Sequence, residues 1–209
     1  MDHVYYINLE HRVDRKDNIE SQMKIFDTSY TRVDAIYNKN GAIGCGLSHI
    51  KALKMAYESN KPYSIILEDD FFIFSYEAYS NFSKAFQKIK LSDSWDIIVM
   101  TPRGDTIDSS SNLVIDGFRK IRNNQTATGY IIKNAMIPIL IDNLKTAVAG
   151  LIKNLDPNIY AIDQYWKRLQ ETYKFYYYKD IFAGQLPGYS DIEKRQVDYN
   201  ARFLDQPKY

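Results

Sequence analysis

Three consecutive carboxylates, Glu68-Asp69-Asp70, stand between two apolar blocks in YSIILEDDFFIF, residues 63–74. Adjacent carboxylates beside a core repel one another and lose hydration, so they need a cation or hydrogen-bond donors nearby. If a strand ran through them, side-chain alternation would set Glu68 and Asp70 on one face and Asp69 on the other. Two hard oxygen ligands on one face suit Mg²⁺ or Mn²⁺, held together with substrate phosphates. The alternative is an acidic turn that caps the next helix. Phe71, Phe72, Ile73 and Phe74 follow at once, which argues against an exposed loop tip.

Other polar groups gather after apolar runs. In NLEHRVDR, residues 8–15, Arg12 and Arg15 are three apart and would share a helix face suited to a phosphate or nucleotide. A solvated first helical turn is the plainer reading. Arg32 and Asp34 flank Val33, and an Asp at a strand end can bind a ribose hydroxyl. In GCGLSH, residues 44–49, two glycines entering a helix would let a ligand approach its positive end. The three-glycine dinucleotide fingerprint and the Lys-Ser/Thr pair of a phosphate-binding loop are both absent. His49 is either a substrate contact or a structural histidine. Asp163, in IDQYW, is either a helix N-cap or a general base beside a metal. Gln185, Ser190 and Asp191 cluster in GQLPGYSDIE, where glycine and proline fix an irregular loop.

The elements that would position these groups alternate. Strand-like runs at residues 4–9, 31–36, 64–67 and 96–100 are separated by helical patterns at 14–24, 44–60 and 78–89. A repeat of about 30 residues per strand and helix predicts right-handed βαβ units on a mainly parallel, Rossmann-like α/β sheet. Ligands of such sheets sit beyond the carboxyl ends of the strands, where the clusters above fall. The second half is less regular. A polar loop covers residues 101–112, and strands are expected at 113–115, 129–132 and 175–178. Helices are expected at 135–144 and 162–171, with little periodicity after Asp180. One domain over residues 1–209 is the expectation, since neither repeat nor linker interrupts the chain.

Composition narrows the class. Lys plus Arg is 27 and Asp plus Glu is 26, a formal charge of +1 that gives no support for a nucleic-acid partner. Cys45 is the only cysteine, so no intrachain disulfide can form, and a reducing compartment is favoured. The sequence shows no run of about 20 apolar residues and no signal-peptide pattern, so a cytoplasmic protein without a transmembrane segment is expected. Eighteen tyrosines fit either a sugar or nucleotide cleft or ordinary half-buried surface.

Taken in order, VYYINLEHRVDR, RVDAI, GAIGCGLSHIKALKMA, SIILEDDFFIF, WDIIVM, TATGYIIK, AIDQYW and GQLPGYSDIE resemble glycosyltransferase family 25, the lipooligosaccharide and collagen galactosyltransferase family. The resemblance covers most of the chain, and IGCGLSH followed by ILEDD is its most specific part. It implies a GT-A-like fold, a UDP-sugar donor, a divalent cation, commonly Mn²⁺ with Mg²⁺ as the other choice, and inversion at the anomeric carbon. It also implies that Glu68-Asp69-Asp70 is the family's acidic D-x-D motif, with Glu68 and Asp70 facing the sugar nucleotide and Asp70 on the metal. Asn8, Arg12 and Arg15 would lie in the nucleotide pocket, with Ser48 and His49 behind or beside it. Asp163 would be base or acceptor contact, and Asp191 would approach the metal or the diphosphate. Residues 1–100 become the donor half and 101–209 the acceptor side. Galactose is the family's default hexose and glucose its rival. The acceptor would be a glycan or a hydroxylysine of a collagen-like protein. At 209 residues the chain reads as a short form, and a shortened stretch between Asp96 and Gly129 leaves acceptor identity open. A catalytically silent sugar-nucleotide or glycan-binding module and a nucleotidyltransferase share part of this pattern. Oligomeric state is open.

Overall fold

The computed structural model describes residues 3–106 and 117–199. Strand β1 (Val4–Asn8) is buried at every position, as a β-branched and aromatic run on a central strand should be. Helix α1 (Val13–Phe26) turns Ile19, Met23 and Phe26 inward and returns the chain to β2 (Tyr30–Asp34). Helix α2 (Gly41–Glu58) and strand β3 (Tyr63–Glu68) complete the second unit. After the short β4 (Phe71–Ile73) come α3 (Tyr76–Ile89), β5 (Ile97–Val99) and β6 (Asp105–Thr106). The second half adds β7 (Phe118–Arg122), β8 (Gly129–Lys133), α4 (Ile137–Ile152), three short helices α5 (Pro157–Tyr160), α6 (Ile162–Tyr165) and α7 (Leu169–Thr172), and β9 (Phe175–Tyr178). Strand β10 (Ala183–Gln185) and the β11 (Gly188–Ser190) to β12 (Arg195–Val197) hairpin follow.

Among the described residues, eight strands form one sheet in the order β2-β1-β3-β8-β5-β9-β7-β6. Six of them run the same way, and β8 and β7 run against them, so the sheet is mainly parallel by direction. Alternation along the strands feeds two cores. Tyr6, Ile65, Leu67 and Ile131 pack toward α1 and α3, while Tyr5, Ile66, Tyr130 and Ile132 pack toward α2 and α4. The result is an α/β fold with helices on both faces of the sheet.

Several boundaries differ from the sequence reading for local reasons. Helix α2 begins at Gly41, capped by the Asn40 side chain, which accepts from the Ala42 N–H. Gly44 and Gly46 therefore lie inside the helix rather than at its entry. A Cβ on Gly44 would stand 2.6 Å from the Ile36 carbonyl oxygen, and one on Gly46 2.5 Å from Val148 Cγ2. Both glycines pack closely against their neighbours, and Gly44 also lines the cleft described below. The helix expected at 162–171 breaks into α6, a 3₁₀ turn and α7. The strand expected at 113–115 lies outside the described residues. The stretch Asn134–Ile152 is long and apolar enough to cross a membrane by composition, but more than half of it is buried in the protein, where α4 packs on α2.

The sheet brings three strand ends to one edge. Asn8 ends β1 beside Asp34 at the end of β2, and Ile7 pairs with Glu68 at the end of β3.

Candidate active site

Beyond that edge lies a cleft of about 450 Å³. Its floor holds Asn8, Arg15, Glu68, Asp69 and Asp70; its walls come from residues 35–39, from α2, and from the β11–β12 hairpin. The acidic triplet is not one continuous strand. Strand β3 ends at Glu68, and Asp69 and Asp70 form the turn into β4. The expected alternation thus stops at Glu68, which corrects the placing of Asp69 on a face of its own. Arg15 Nη1 donates to Asp69 Oδ1 at 3.1 Å and to Asp70 Oδ2 at 2.9 Å, drawing both toward one guanidinium. Asn8 Nδ2 donates to Asp69 Oδ2 at 2.8 Å, and Gln185 Nε2 to Asp70 Oδ2 at 2.8 Å. Asp70 Oδ1 is buried with no hydrogen-bond partner. Burial, with Glu68 and Asp69 adding to it, pushes the Asp70 carboxyl up to about 7 against the pull of Arg15. Asp69 is raised as well, chiefly by burial.

Glu68 faces the other way, toward α2. Its Oε1 accepts from His49 Nε2 at 3.1 Å and lies 3.6 Å from Cys45 Sγ, and its Oε2 accepts from Thr128 Oγ1 at 3.1 Å. Burial opposes its charge, but these donors outweigh burial and hold the carboxyl below its ordinary value. His49 is fully buried, and its Nδ1 lies 3.1 Å from the Tyr130 hydroxyl. Cys45 and His49 are one turn apart on α2, and with Glu68 their ligand atoms all fall within 4.8 Å of one another, close enough to share a metal ion.

The arginines reach across to the hairpin. Arg12 donates to Asp191 Oδ2 at 2.6 Å and to the Tyr189 carbonyl at 3.2 Å, and Arg15 Nη2 donates to the same carbonyl at 2.9 Å. Asp191, expected near a metal, lines the cleft paired with Arg12. Asp34 is ion-paired with Arg32 and lies outside the cleft lining, where its neighbour Ala35 stands instead. Ser48 is committed to the backbone: it donates to Gly44 O at 2.7 Å and accepts from the Ile36 N–H at 2.8 Å, pinning the wall.

Asp163 sits in the first turn of α6, after the N-cap position of Ala161, so it is not itself the cap. It is not among the residues lining the cleft. Burial and then the charge of Glu68 push its carboxyl up to about 6, with Lys167 and Arg103 opposing. Thr128, Tyr130 and the Tyr189 carbonyl join the site with no role expected of them from the sequence, although they lie in the TATGYIIK and GQLPGYSDIE stretches that carry the family resemblance. Each depends on a strand pairing or a hairpin set by distant residues. Gln185 carried a signal in the GQLPGYSDIE loop, and the structure places it on Asp70.

Three observations thus converge: an acidic turn at the carboxyl edge, Arg15 bonded to it with Arg12 bracing the hairpin alongside, and a carboxyl of raised affinity for protons nearby. A model of the family described as glycosyltransferase family 25 (LPS biosynthesis protein) matches residues 39–166, more than half of the chain. No match was found among curated protein sequences. Of solved structures, one similar in fold is a glycosyltransferase involved in the glycosylation of the major capsid of PBCV-1, with TM-score 0.50 and 11% identity over 92% of this chain and 96% of that one. Another is a mannose-1-phosphate geranyltransferase from Thermus thermophilus, with TM-score 0.50 and 9% identity over 98% of this chain and 79% of that one.

Proposed function

The chain belongs to glycosyltransferase family 25, and from that premise we propose that it moves a hexose from a UDP-sugar to a glycan hydroxyl with inversion at the anomeric carbon. Galactose is the first choice of hexose and glucose the second. A hydroxylysine of a collagen-like protein is the other acceptor class. The observation that carries this reading is the acidic turn Asp69-Asp70 facing Arg15 in a cleft at the carboxyl ends of β1 and β3. One guanidinium cannot balance both carboxylates and Glu68 besides, and Asp70 Oδ1 has no donor.

That orphaned oxygen fits a hard divalent ion, and Asp70, with Asp69 beside it, would hold Mn²⁺ or Mg²⁺. Such an ion supplies positive charge opposite the diphosphate leaving group. Arg15, with Lys39 and Lys194, is a cation lining the cleft, and Arg12 is bonded to the hairpin beside it; the arginines would exchange their present bonds to Asp191 and the Tyr189 carbonyl for phosphate oxygens. Asn8 holds Asp69 in place, and Arg32 in turn donates from Nε to Asn8 Oδ1 at 3.1 Å. Glu68, with three of its acceptor sites engaged, keeps capacity for one sugar hydroxyl. Asp163, outside the cleft lining but near enough for the charge of Glu68 to raise it, would take the acceptor proton from a hydroxyl approaching on that side. A carboxyl at about 6 is well placed for that, being ionised at neutral pH yet basic enough to accept.

The reading is tested by incubating the protein with a panel of UDP-hexoses under Mn²⁺ titration and measuring released UDP. Ion-dependent release from UDP-galactose or UDP-glucose is the expected result. Turnover of nucleoside triphosphates alone would assign nucleotidyl transfer instead. UDP binding without turnover of any hexose would assign a silent binding module.

A further inference from the structure

Cys45, His49 and Glu68 form a second constellation, on the opposite side of Glu68 from the acidic turn. Its donor set differs in kind: a thiol, an imidazole and one carboxylate, where the Asp69-Asp70 turn offers only oxygens. Soft thiolate and imidazole ligands select Zn²⁺-like ions, and hard ions prefer the carboxylates. We propose that Cys45 Sγ, His49 Nε2 and Glu68 Oε1 form a site for a soft divalent ion of the zinc class, distinct from the hard-cation site at Asp70.

The distances carry the argument. Around a tetrahedral zinc, bonds of about 2.0 Å to nitrogen and oxygen and about 2.3 Å to sulfur set the ligand atoms about 3.3 Å apart for N and O and about 3.5 Å for S and O. Here His49 Nε2 is 3.1 Å from Glu68 Oε1, and Cys45 Sγ is 3.6 Å from the same oxygen. All three atoms lie within 4.8 Å of one another. The supporting contacts are in place too. Tyr130 OH is 3.1 Å from the other ring nitrogen of His49, and Thr128 Oγ1 donates at 3.1 Å to the other oxygen of Glu68. Partners of that kind orient metal ligands and fix the imidazole tautomer. The two helical ligands come from a rigid element, α2, and the third from the end of β3.

Binding is proton-balanced without a co-reactant. The Cys45 Sγ–H proton leaves to solvent as the sulfur bonds the ion. A neutral His49 shifts its proton from Nε2 to Nδ1, where the Tyr130 oxygen accepts it. Three protein ligands leave a fourth position, and all three residues line the cleft, so that position opens toward the donor pocket. An ion there takes Glu68 away from substrate. This inference stands on its own distances and holds whatever the cleft transfers.

Cobalt(II) is the probe, because it takes zinc sites and reports a bound thiolate by a sulfur-to-metal charge-transfer band in the near ultraviolet. Cys45 is the only cysteine in the sequence, so the unsubstituted protein identifies the ligand without a variant. Titration of the purified, untagged protein should give a saturable band at one ion per chain, abolished by Zn²⁺ and unmoved by Mn²⁺. His49→Gln should weaken cobalt binding at least about tenfold. Absence of cobalt binding, binding without the band, or a band of equal affinity in a folded His49→Gln protein would each overturn the assignment.

Discussion

At the residue scale, the site rests on how burial is offset differently at four carboxylates. Glu68 has three donors and stays ionised; Asp69 and Asp70 share Arg15 and are raised; Asp163 is raised by burial and Glu68 against the opposing charges of Lys167 and Arg103. Asp163 as base has a definite consequence. Its carboxyl at about 6 must lose its proton before it can accept one, so kcat should rise with pH through about 6 and then level. Asp163→Asn should lower kcat by about 10²–10⁴-fold and remove that limb. A pH–rate profile of both proteins decides it, and an unchanged limb in the variant would reassign the base. The types and neighbourhood of these residues were legible in the sequence; their orientation was not. Alternation predicts side-chain faces only while a strand lasts, and β3 ends at Glu68. The turn that follows is fastened by Arg15 and Asn18, which are more than 50 positions earlier: Asn18 Nδ2 donates to the Asp69 and Phe71 carbonyls.

At the element scale, the cleft is shaped by how closely α2 meets its neighbours. A Cβ on Gly41 would lie 2.8 Å from Ile192 Cα and 2.9 Å from the Asp191 carbonyl oxygen, both backbone atoms of the hairpin. Gly41→Ala must therefore push the β11–β12 hairpin outward, pulling Asp191 and the Tyr189 carbonyl off the arginines. The expected result is a donor KM raised about tenfold, or about 1.4 kcal/mol of binding, in a variant that keeps its far-ultraviolet circular dichroism. Gly44→Ala meets the Ile36 carbonyl oxygen at 2.6 Å, in the wall that Ser48 pins, and should cost about 1–3 kcal/mol of stability. A melting curve reads that as roughly 2–4 °C per kcal/mol. Helices and central strands were readable because their apolar periods are local. Strand β4 was not, because its partner β10 lies about a hundred positions downstream and neither segment has a period of its own. The start of α2 was misread for a related reason. Its first turn begins at Gly41, capped by Asn40, three positions before the expected start at Gly44, and Gly44 and Gly46 are set by close contacts with Ile36 and Val148 that no local period announces.

At the scale of the whole molecule, the eight-stranded sheet with a helical layer on each face brings three strand ends, carrying Asn8, Asp34 and Glu68, to one edge. Carboxyls raised by burial make the stability of the fold depend on pH. Asp163 moves from 3.8 to about 6 on folding. Below 3.8 it is protonated in both states and its contribution to stability is full. As pH rises toward about 6 the unfolded chain ionises first, so stability falls, and above about 6 that contribution is gone. Asp163→Asn should therefore gain stability relative to the unsubstituted protein between about pH 4 and 7, and show no such gain below about pH 4, by thermal melting. The α/β class and the alternation of strand and helix through the first half followed from sequence periodicity. Which clusters would meet across the cleft depended on the sheet order, and that is set by the whole chain. The central claim is that Asp70 holds the cation on which sugar-nucleotide turnover depends. Its most direct test is UDP release from the preferred UDP-hexose, titrated with Mn²⁺, for the unsubstituted protein and for Asp70→Asn. The account predicts saturable Mn²⁺ dependence that disappears in a variant with the same far-ultraviolet circular dichroism. Equal Mn²⁺-dependent turnover in the variant would contradict it.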